Sequence, residues 1–118
     1  MLTSKAKTGA NGEDAAIEYL RRNGFLICDR NWRNGRYEID IIAQKHYITH
    51  IIEVKTRSVS SYQTPEKSIT PTKIKSMRRA AALYLAQHRI RTEVMFDLVA
   101  IDLFPDGTYD IRLIENII

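Results

Sequence analysis

The chain has 118 residues, of which 44% are hydrophobic and 27% are charged. This composition is typical of a globular domain, and a chain of this length can bury about two-thirds of its unfolded surface without disulfides or metals. The single cysteine, Cys28, excludes an internal disulfide, and no apolar run approaches the length of a membrane span. Since no secretory signal pattern is present at the start, we expect one cytoplasmic domain over residues 1–118, frayed over residues 1–7.

The first predicted helix starts near residue 8, because Thr8 or Asn11 can cap it and Gly24 is placed to end it. Apolar side chains recur at helical spacing on the face that would pack on the core: Ala16, Ile17 and Leu20. Glu13 lies one turn before this stripe, at the edge of the buried face. Such a residue is ordinarily a first-turn glutamate that the helix dipole stabilises.

The first strand is predicted over residues 25–31, and the pair Asn34 and Gly35 predicts a hairpin turn after it. A single tryptophan at a strand end, Trp32, is more often a core residue than a surface for stacking a nucleic-acid base. Cys28 is expected to be a small buried hydrophobe.

A hairpin over residues 36–57 carries charge where strands are usually apolar. Because side chains alternate along a strand, Glu38 and Asp40 share one face of the first strand, and Glu53 and Lys55 share one face of the second. An even number of loop residues would bring Asp40, Glu53 and Lys55 together on one surface. The opposite face of the first strand is expected to carry Tyr37, Ile39 and Ile41.

The second strand of this hairpin is nearly all apolar over residues 48–54, which predicts a central strand covered on both faces. A carboxylate there is unfavourable unless it is paired or bound to metal. Metal-dependent phosphodiester hydrolysis would explain the cluster, because carboxylates hold Mg²⁺ and a lysine can orient the attacking water. The alternative is a set of structural ion pairs, which often resemble active sites.

After a polar loop over residues 58–68, Thr70 and Pro71 mark the start of a second helix. Its apolar stripe is Ile74, Met77, Ala81, Tyr84 and Leu85. Residues 67–91 hold seven lysines and arginines and no acidic residue. This segment is either a phosphate-facing surface or an ordinary solvated helix face. The predicted nucleic-acid contacts are Lys73, Lys75, Arg78 and Arg79, together with Arg57.

Two further strands are predicted over residues 94–103 and 109–114, separated by a turn at residues 105–107. Asp97 is a lone charge in the first of them and is expected to have a structural partner. His50 is expected to face away from the carboxylates. The order helix, three strands, helix, two strands indicates an α/β domain with a mixed sheet flanked by helices.

A spaced series of residues extends from about residue 9 to the end of the chain: Gly12, Glu13, Asn31, Trp32, Arg33, Glu38, Ile39, Asp40, Glu53, Val54, Lys55, Thr56, Arg57, Lys73, Ile114, Glu115 and Asn116. This series resembles the uncharacterised bacterial YraN family of the PD-(D/E)xK nuclease superfamily, which is similar to archaeal Holliday junction resolvases. Two positions, Tyr37 and Gln63, depart from the pattern because the family usually has glycine there.

The resemblance implies a restriction-endonuclease-like sheet with the order α-β-β-β-α-β-β and a Mg²⁺-dependent or Mn²⁺-dependent endonuclease acting on branched or structured DNA. It implies that Asp40 and Glu53 hold the metal, that Lys55 activates or positions water, and that Glu13 completes the shell. Glu38 could replace Asp40 as a ligand. Resolvase-like cleavage of two strands would suggest a homodimer.

Two other functions remain open from the sequence. One is a catalytically silent nucleic-acid-binding domain of the same fold, whose DNA affinity falls with salt but which cuts nothing. The other is a structural or partner-binding domain that contacts no nucleic acid.

Overall fold

The computed structural model describes residues 8–59 and 65–118. Its elements are α1 (Thr8–Arg22), β1 (Leu26–Asn34), β2 (Tyr37–Lys45), β3 (Ile48–Ser58), a 3₁₀ helix (Pro65–Ser68), α2 (Pro71–His88), β4 (Glu93–Leu103) and β5 (Tyr109–Ile114). The order α-β-β-β-α-β-β is the predicted one. The segment over residues 1–7, expected to be frayed, and Gln63 lie outside the described residues.

The five strands form one sheet in the order β1-β2-β3-β4-β5. Within it β3 and β4 are parallel and the other neighbouring pairs are antiparallel. The helix α2 makes the crossover that a parallel pair requires. The predicted mixed α/β sheet is therefore confirmed, and β3 is its central strand, as its apolar run indicated. None of the described helices is both long and apolar enough to cross a membrane.

The two helices cover opposite faces of the sheet. The helix α1 packs its predicted stripe against one face, with Leu20 and Ile41 fully buried in the contact. The helix α2 packs Ala80, Ala81 and Tyr84 against the other face. Trp32 lies in this second cluster, with its ring centroid 5.3 Å from that of Tyr84 in an edge-to-face contact. The prediction that Trp32 is a core residue is confirmed.

The start of α2 and the end of α1 are both determined by local sequence features. The side chain of Thr70 accepts a hydrogen bond from the backbone N–H of Lys73, and Pro71 occupies the first turn of α2. At the end of α1, Gly24 has φ 87°, a left-handed conformation that glycine adopts without strain. Asn11 lies within α1 and is not its cap.

The first hairpin differs from the prediction in two details. The strand β1 continues to Asn34, and the turn residues are Gly35 and Arg36, one position later than expected. A positive φ of 60° at Gly35 matches a type II′ turn. Cys28 is exposed, so the expectation that it is buried is wrong. The cause is a bulge between Ile27 and Asp29, which leaves Cys28 as the extra residue on an edge strand.

The second hairpin fixes the register on which the site depends. Its turn has two residues, His46 and Tyr47, both with positive φ, as in a type I′ turn. This loop pairs Ile41 with Ile52 at the end of the ladder, and Asp40 and Glu53 are the next residue on each strand. The even loop length that the sequence analysis required is therefore present.

The strand β2 does not alternate regularly, and the prediction that Tyr37, Ile39 and Ile41 share a face is wrong. Ile41 packs with α1, whereas Ile39 and Tyr37 pack with α2. The change occurs at Asp40, which stands across from Asn31, a residue with φ 52°. A left-handed residue in β1 rotates the hairpin locally. As a result, the alternation of side chains between the two faces of the sheet shifts by one position at Asp40.

Asp97 is fully buried in β4 and has the structural partners that were predicted. Its Oδ2 lies 2.5 Å from Nδ1 of His50, and its Oδ1 accepts a hydrogen bond from the backbone N–H of Asn116. His50 also packs edge-on against Phe25 on the α1 side of the sheet. This pair ties the C-terminal end of the chain to the core and is separate from the acidic site.

Candidate active site

Asp40 is held between the two central strands by its own side chain. The regular pairing of β2 with β3 ends at Ile41 and Ile52, and the backbone N–H of Val54 then donates to Oδ2 of Asp40 at 2.8 Å. The carboxylate therefore replaces a backbone acceptor at the point where β2 is rotated. This bond fixes the orientation of the Asp40 carboxylate, which also contacts the side chain of Glu53.

Glu53 lies next to Asp40 and also contacts a lysine. The Nζ of Lys73, in the first turns of α2, is 3.0 Å from Oε2 of Glu53, whose side chain is 20% exposed. Burial raises the pKa of Glu53, and the neighbouring Asp40 carboxylate raises it further, although Lys73 acts in the opposite direction. The two acids therefore form a strained pair whose charge Lys73 balances only in part.

The pKa of Asp40 is also raised, chiefly because the group is buried. The hydrogen bond from Val54 and the charge of Lys73 lower it, and the charge of Glu38 raises it. Two adjacent carboxyl groups with raised pKa values favour a bound cation or proton at this point of the sheet.

Glu13 approaches the pair from the other helix. Burial raises its pKa, a hydrogen bond with Asn31 lowers it, and the charge of Asp40 raises it. The neighbouring Gly12 explains how α1 comes so close, because a Cβ at this position would lie 2.5 Å from Oγ1 of Thr56 in β3. The resemblance placed Glu13 beside the carboxylates, and the structure brings it within electrostatic reach of Asp40.

The remaining predicted site residues lie further out. Glu38 is exposed and forms an ion pair with Arg33 at 3.3 Å. Lys55 is exposed on β3, and it is Lys73 that supplies the ammonium group in contact with Glu53. Arg57 pairs with Asp102 of the neighbouring strand at 2.7 Å.

Three of the predicted nucleic-acid contacts, Lys75, Arg78 and Arg79, are exposed on α2. Lys75 and Arg79 share a surface hollow with the tip of the first hairpin, to which Arg36 and Tyr37 belong. Neither Arg36 nor Tyr37 was predicted to contact nucleic acid. The only sequence signal for Arg36 was its position in a hairpin turn beside a glycine.

Among residues 12–59 and 65–118, no three histidine, cysteine or acidic side chains are grouped as a ready-made metal site. Mg²⁺, however, commonly uses one or two protein carboxylates and keeps several waters, and Mn²⁺ has similar ligand preferences. Asp40 and Glu53 fit this chemistry, because each is an oxygen donor whose charge is unfavourable without a cation. Glu13 could contact the ion through a water.

Comparison with known proteins identifies relatives over most of the chain. The family model described as "Uncharacterised protein family UPF0102" matches residues 12–101, which include all four residues at the site, Glu13, Asp40, Glu53 and Lys73. A UPF0102 protein of Bacteroides fragilis is 42% identical over 108 residues, covering 92% of this chain and 88% of the relative.

Two relatives from other bacteria agree. A UPF0102 protein of Syntrophomonas wolfei is 38% identical over 92% of this chain and 94% of its own length. A UPF0102 protein of Chlorobium phaeobacteroides is 45% identical over 79% of this chain and 74% of its own length. The resemblance noted from the sequence is therefore confirmed: the chain belongs to the UPF0102 (YraN) family.

Proposed function

We propose that this protein is a Mg²⁺-dependent endonuclease, able to use Mn²⁺, that hydrolyses phosphodiester bonds in branched or structured DNA. The observation that carries the proposal is the contact between Asp40 and Glu53, two largely buried carboxyl groups on adjacent central strands, both with raised pKa values. A purely structural ion pair would match each carboxylate with a cation. Here two acids share the single ammonium group of Lys73.

A divalent cation held by Asp40 and Glu53 would neutralise charge on the scissile phosphate and make a bound water more acidic. The protein groups then have separable roles. The bond from Val54 keeps Asp40 in one orientation, and Lys73 favours the charged form of Glu53, whose pKa burial raises. Glu13, whose pKa is raised, is suited to take a proton from a water attacking in line with the leaving oxygen.

The exposed cations of α2 support a nucleic-acid substrate. Lys75, Arg78 and Arg79 lie on the helix that also delivers Lys73 to the acidic pair. Contacts of this kind bind phosphates without reading sequence, and they position a substrate over the reacting centre. Lys55 extends from the same strand as Glu53, and its proposed role is to activate or position the attacking water.

The direct test is a cleavage panel of linear, single-stranded, flapped and four-way DNA, each with Mg²⁺ and with Mn²⁺. In Asp40→Asn, cleavage should fall by orders of magnitude while DNA affinity holds or rises, because a negative charge near the phosphates is gone. Asp110→Asn is the matched control, since Asp110 is exposed on β5. Cleavage that survives in Asp40→Asn would assign the activity to another site or to a contaminant.

The two lysines give different expected results. Lys55→Ala should lose cleavage, retain metal binding and bind DNA slightly less tightly. In Lys73→Ala the pKa of Glu53 should rise further, because the cation that favours the charged form of this carboxyl group is removed.

The panel also separates the proposal from its alternatives. Salt-dependent DNA binding with no cleavage under either metal would favour the silent binding domain. Absence of both binding and cleavage would favour a structural or partner-binding domain. Sedimentation velocity with and without four-way DNA tests the proposed homodimer.

A further inference from the structure

Two adjoining hollows lie between α2 and the tip of the first hairpin. The first has a volume of about 350 Å³, and its walls supply three cationic side chains and three hydroxyl groups. The lining residues are Arg36, Tyr37, Thr72, Lys75, Ser76 and Arg79. Cations and hydroxyls converging on one space fit a phosphate group, which carries negative charge and several acceptor oxygens.

The cations of this hollow are organised in advance. Nη2 of Arg36 donates to the Tyr37 hydroxyl at 3.0 Å, and the guanidinium lies 5.1 Å from the centre of the tyrosine ring. The pKa of Tyr37 is lowered, mainly by this hydrogen bond, and Arg79 acts in the same direction. Two guanidinium groups are therefore gathered around one phenol oxygen, and less side-chain freedom is lost when an anion binds.

The second hollow continues from the first and has a different character. Its volume is about 390 Å³ and its walls are almost wholly apolar. Tyr37 and Arg79 line both spaces, and Ala82 and Leu83, one turn further along α2, complete the second. The Leu83 side chain is 38% exposed, although it is a large hydrophobic residue on a charged helix. An apolar hollow beside a cationic one suits a single nucleotide, which has a flat base and an anionic phosphate.

We infer that the joined hollows bind one unpaired nucleotide of the substrate DNA, with its phosphate in the first hollow and its base against Tyr37 and Leu83 in the second. A paired base could not enter, because its faces and edges are taken up inside the duplex. Base contacts with aromatic and apolar side chains tolerate any sequence. The inference rests on the proposed function and narrows its substrate class to DNA with a single-stranded branch.

The position of the hollows relative to the acidic pair is consistent with this role. Tyr37 precedes Asp40 by three residues on β2, which is roughly 10 Å along a strand. Thr72 lines the first hollow, and the next residue, Lys73, contacts Glu53. The unpaired nucleotide would therefore lie close to the phosphate that is cut, at the junction between duplex and branch.

The test measures binding by fluorescence anisotropy in metal-free buffer, so that cleavage is not required. The probes are a duplex, the same duplex with a single-stranded flap, and that flap with abasic sugars, which keep the phosphates but lack the bases. Wild-type protein should bind the intact flap about fivefold or more tighter than the abasic flap, the effect expected of one base–side chain contact.

Two variants separate the two hollows. Leu83→Ser should remove most of the preference for the intact flap and leave affinity for the duplex and the abasic flap unchanged. Lys75→Gln, at a cation that lines only the first hollow, should weaken binding to every probe and reduce the salt dependence by about one released ion. The matched controls are Leu26→Ser, at an exposed leucine of β1, and Arg21→Gln, at an exposed arginine of α1. Both controls should behave as wild type.

Equal affinity of the wild type for intact and abasic flaps, or an unchanged preference in Leu83→Ser, would overturn the inference. Stronger competition by a free deoxynucleoside monophosphate than by flapped DNA would overturn it as well, by assigning the hollows to a free nucleotide. A clear preference for the intact flap, with no cleavage in the DNA panel under Mg²⁺ or Mn²⁺, would uphold the nucleotide site and refute the nuclease. Cleavage in that panel, with no preference for the intact flap, would uphold the nuclease and refute the nucleotide site.

Discussion

Asp40→Asn should stabilise the protein in the absence of metal, even though it is expected to abolish catalysis. The substitution keeps the size of the side chain and its oxygen, so that Val54 N–H still has an acceptor. It removes a buried charge that repels Glu53. The change therefore isolates the charge of Asp40 from its structural hydrogen bond.

The expected gain follows from three opposing effects. Two like charges about 4 Å apart repel by ~4 kcal/mol at an effective dielectric constant near 20. Lys73 and partial exposure of Glu53 offset about half of this, because solvent and a cation both screen the pair. Replacing the charge-assisted hydrogen bond from Val54 with a neutral one lowers the free energy of unfolding by about 1 kcal/mol. The remainder is a gain of about 1 kcal/mol, or roughly 4 °C in Tm for a domain of this size.

The assay is urea unfolding followed by circular dichroism at neutral pH, first with EDTA and then with Mg²⁺. In EDTA, Asp40→Asn should be more stable than wild type, and Asp40→Ala should lie about 1–3 kcal/mol below Asp40→Asn, because Val54 N–H then lacks its acceptor. Adding Mg²⁺ should stabilise wild type by about 1.4 kcal/mol per tenfold excess over Kd and leave Asp40→Asn unchanged. Equal stability of the two proteins in EDTA, or an equal response to Mg²⁺, would refute the reasoning.

Two further predictions concern the same site. Because Glu13, Asp40 and Glu53 have raised pKa values, the folded state binds more protons than the unfolded state between the unfolded and folded pKa values. Their contribution should therefore favour folding as pH falls from neutral through this window. The urea midpoint, measured in EDTA, should therefore decrease less steeply with falling pH for wild type than for Glu53→Ala. Gly12→Ala should destabilise the protein by about 1–3 kcal/mol, because the added Cβ would overlap Oγ1 of Thr56. In the double variant with Thr56→Ala, thermal unfolding should show that most of the lost stability returns. If it does not return, this contact does not limit how closely α1 approaches β3.

Much of the fold could be predicted because each element carries its own local signal. The apolar run of β3 indicated a central strand, and Thr70 with Pro71 located the start of α2. The proximity of Asp40 and Glu53 was predicted from one condition, an even loop length, which the two-residue turn at His46 and Tyr47 satisfies. Strand periodicity and loop parity together determine register.

The errors arose where the backbone departs from regular geometry. The bulge at Cys28 and the left-handed Asn31 change which way side chains point, and neither is visible in the alternation of residue types. The contact of Lys73 with Glu53 was not predicted, because only helix packing brings the two side chains together. A contact between residues twenty positions apart, made across two elements, has no periodic signal in the sequence.

The irregularity at Asp40 is what allows acids from both sides of the sheet to meet. In a regular strand this side chain would point to one face only, towards Glu53 on the α2 side or towards Glu13 on the α1 side. The rotation opposite Asn31 instead places the carboxylate near the plane of the sheet, where it accepts the Val54 N–H and is influenced by both glutamates. The hydrogen bond compensates for the ladder pairing that ends at Ile41. The contact of Asp40 with acids on opposite faces therefore depends on a local break in β2, and restoring regular geometry there should remove Asp40 from the influence of one of the two glutamates even if every acidic residue is kept.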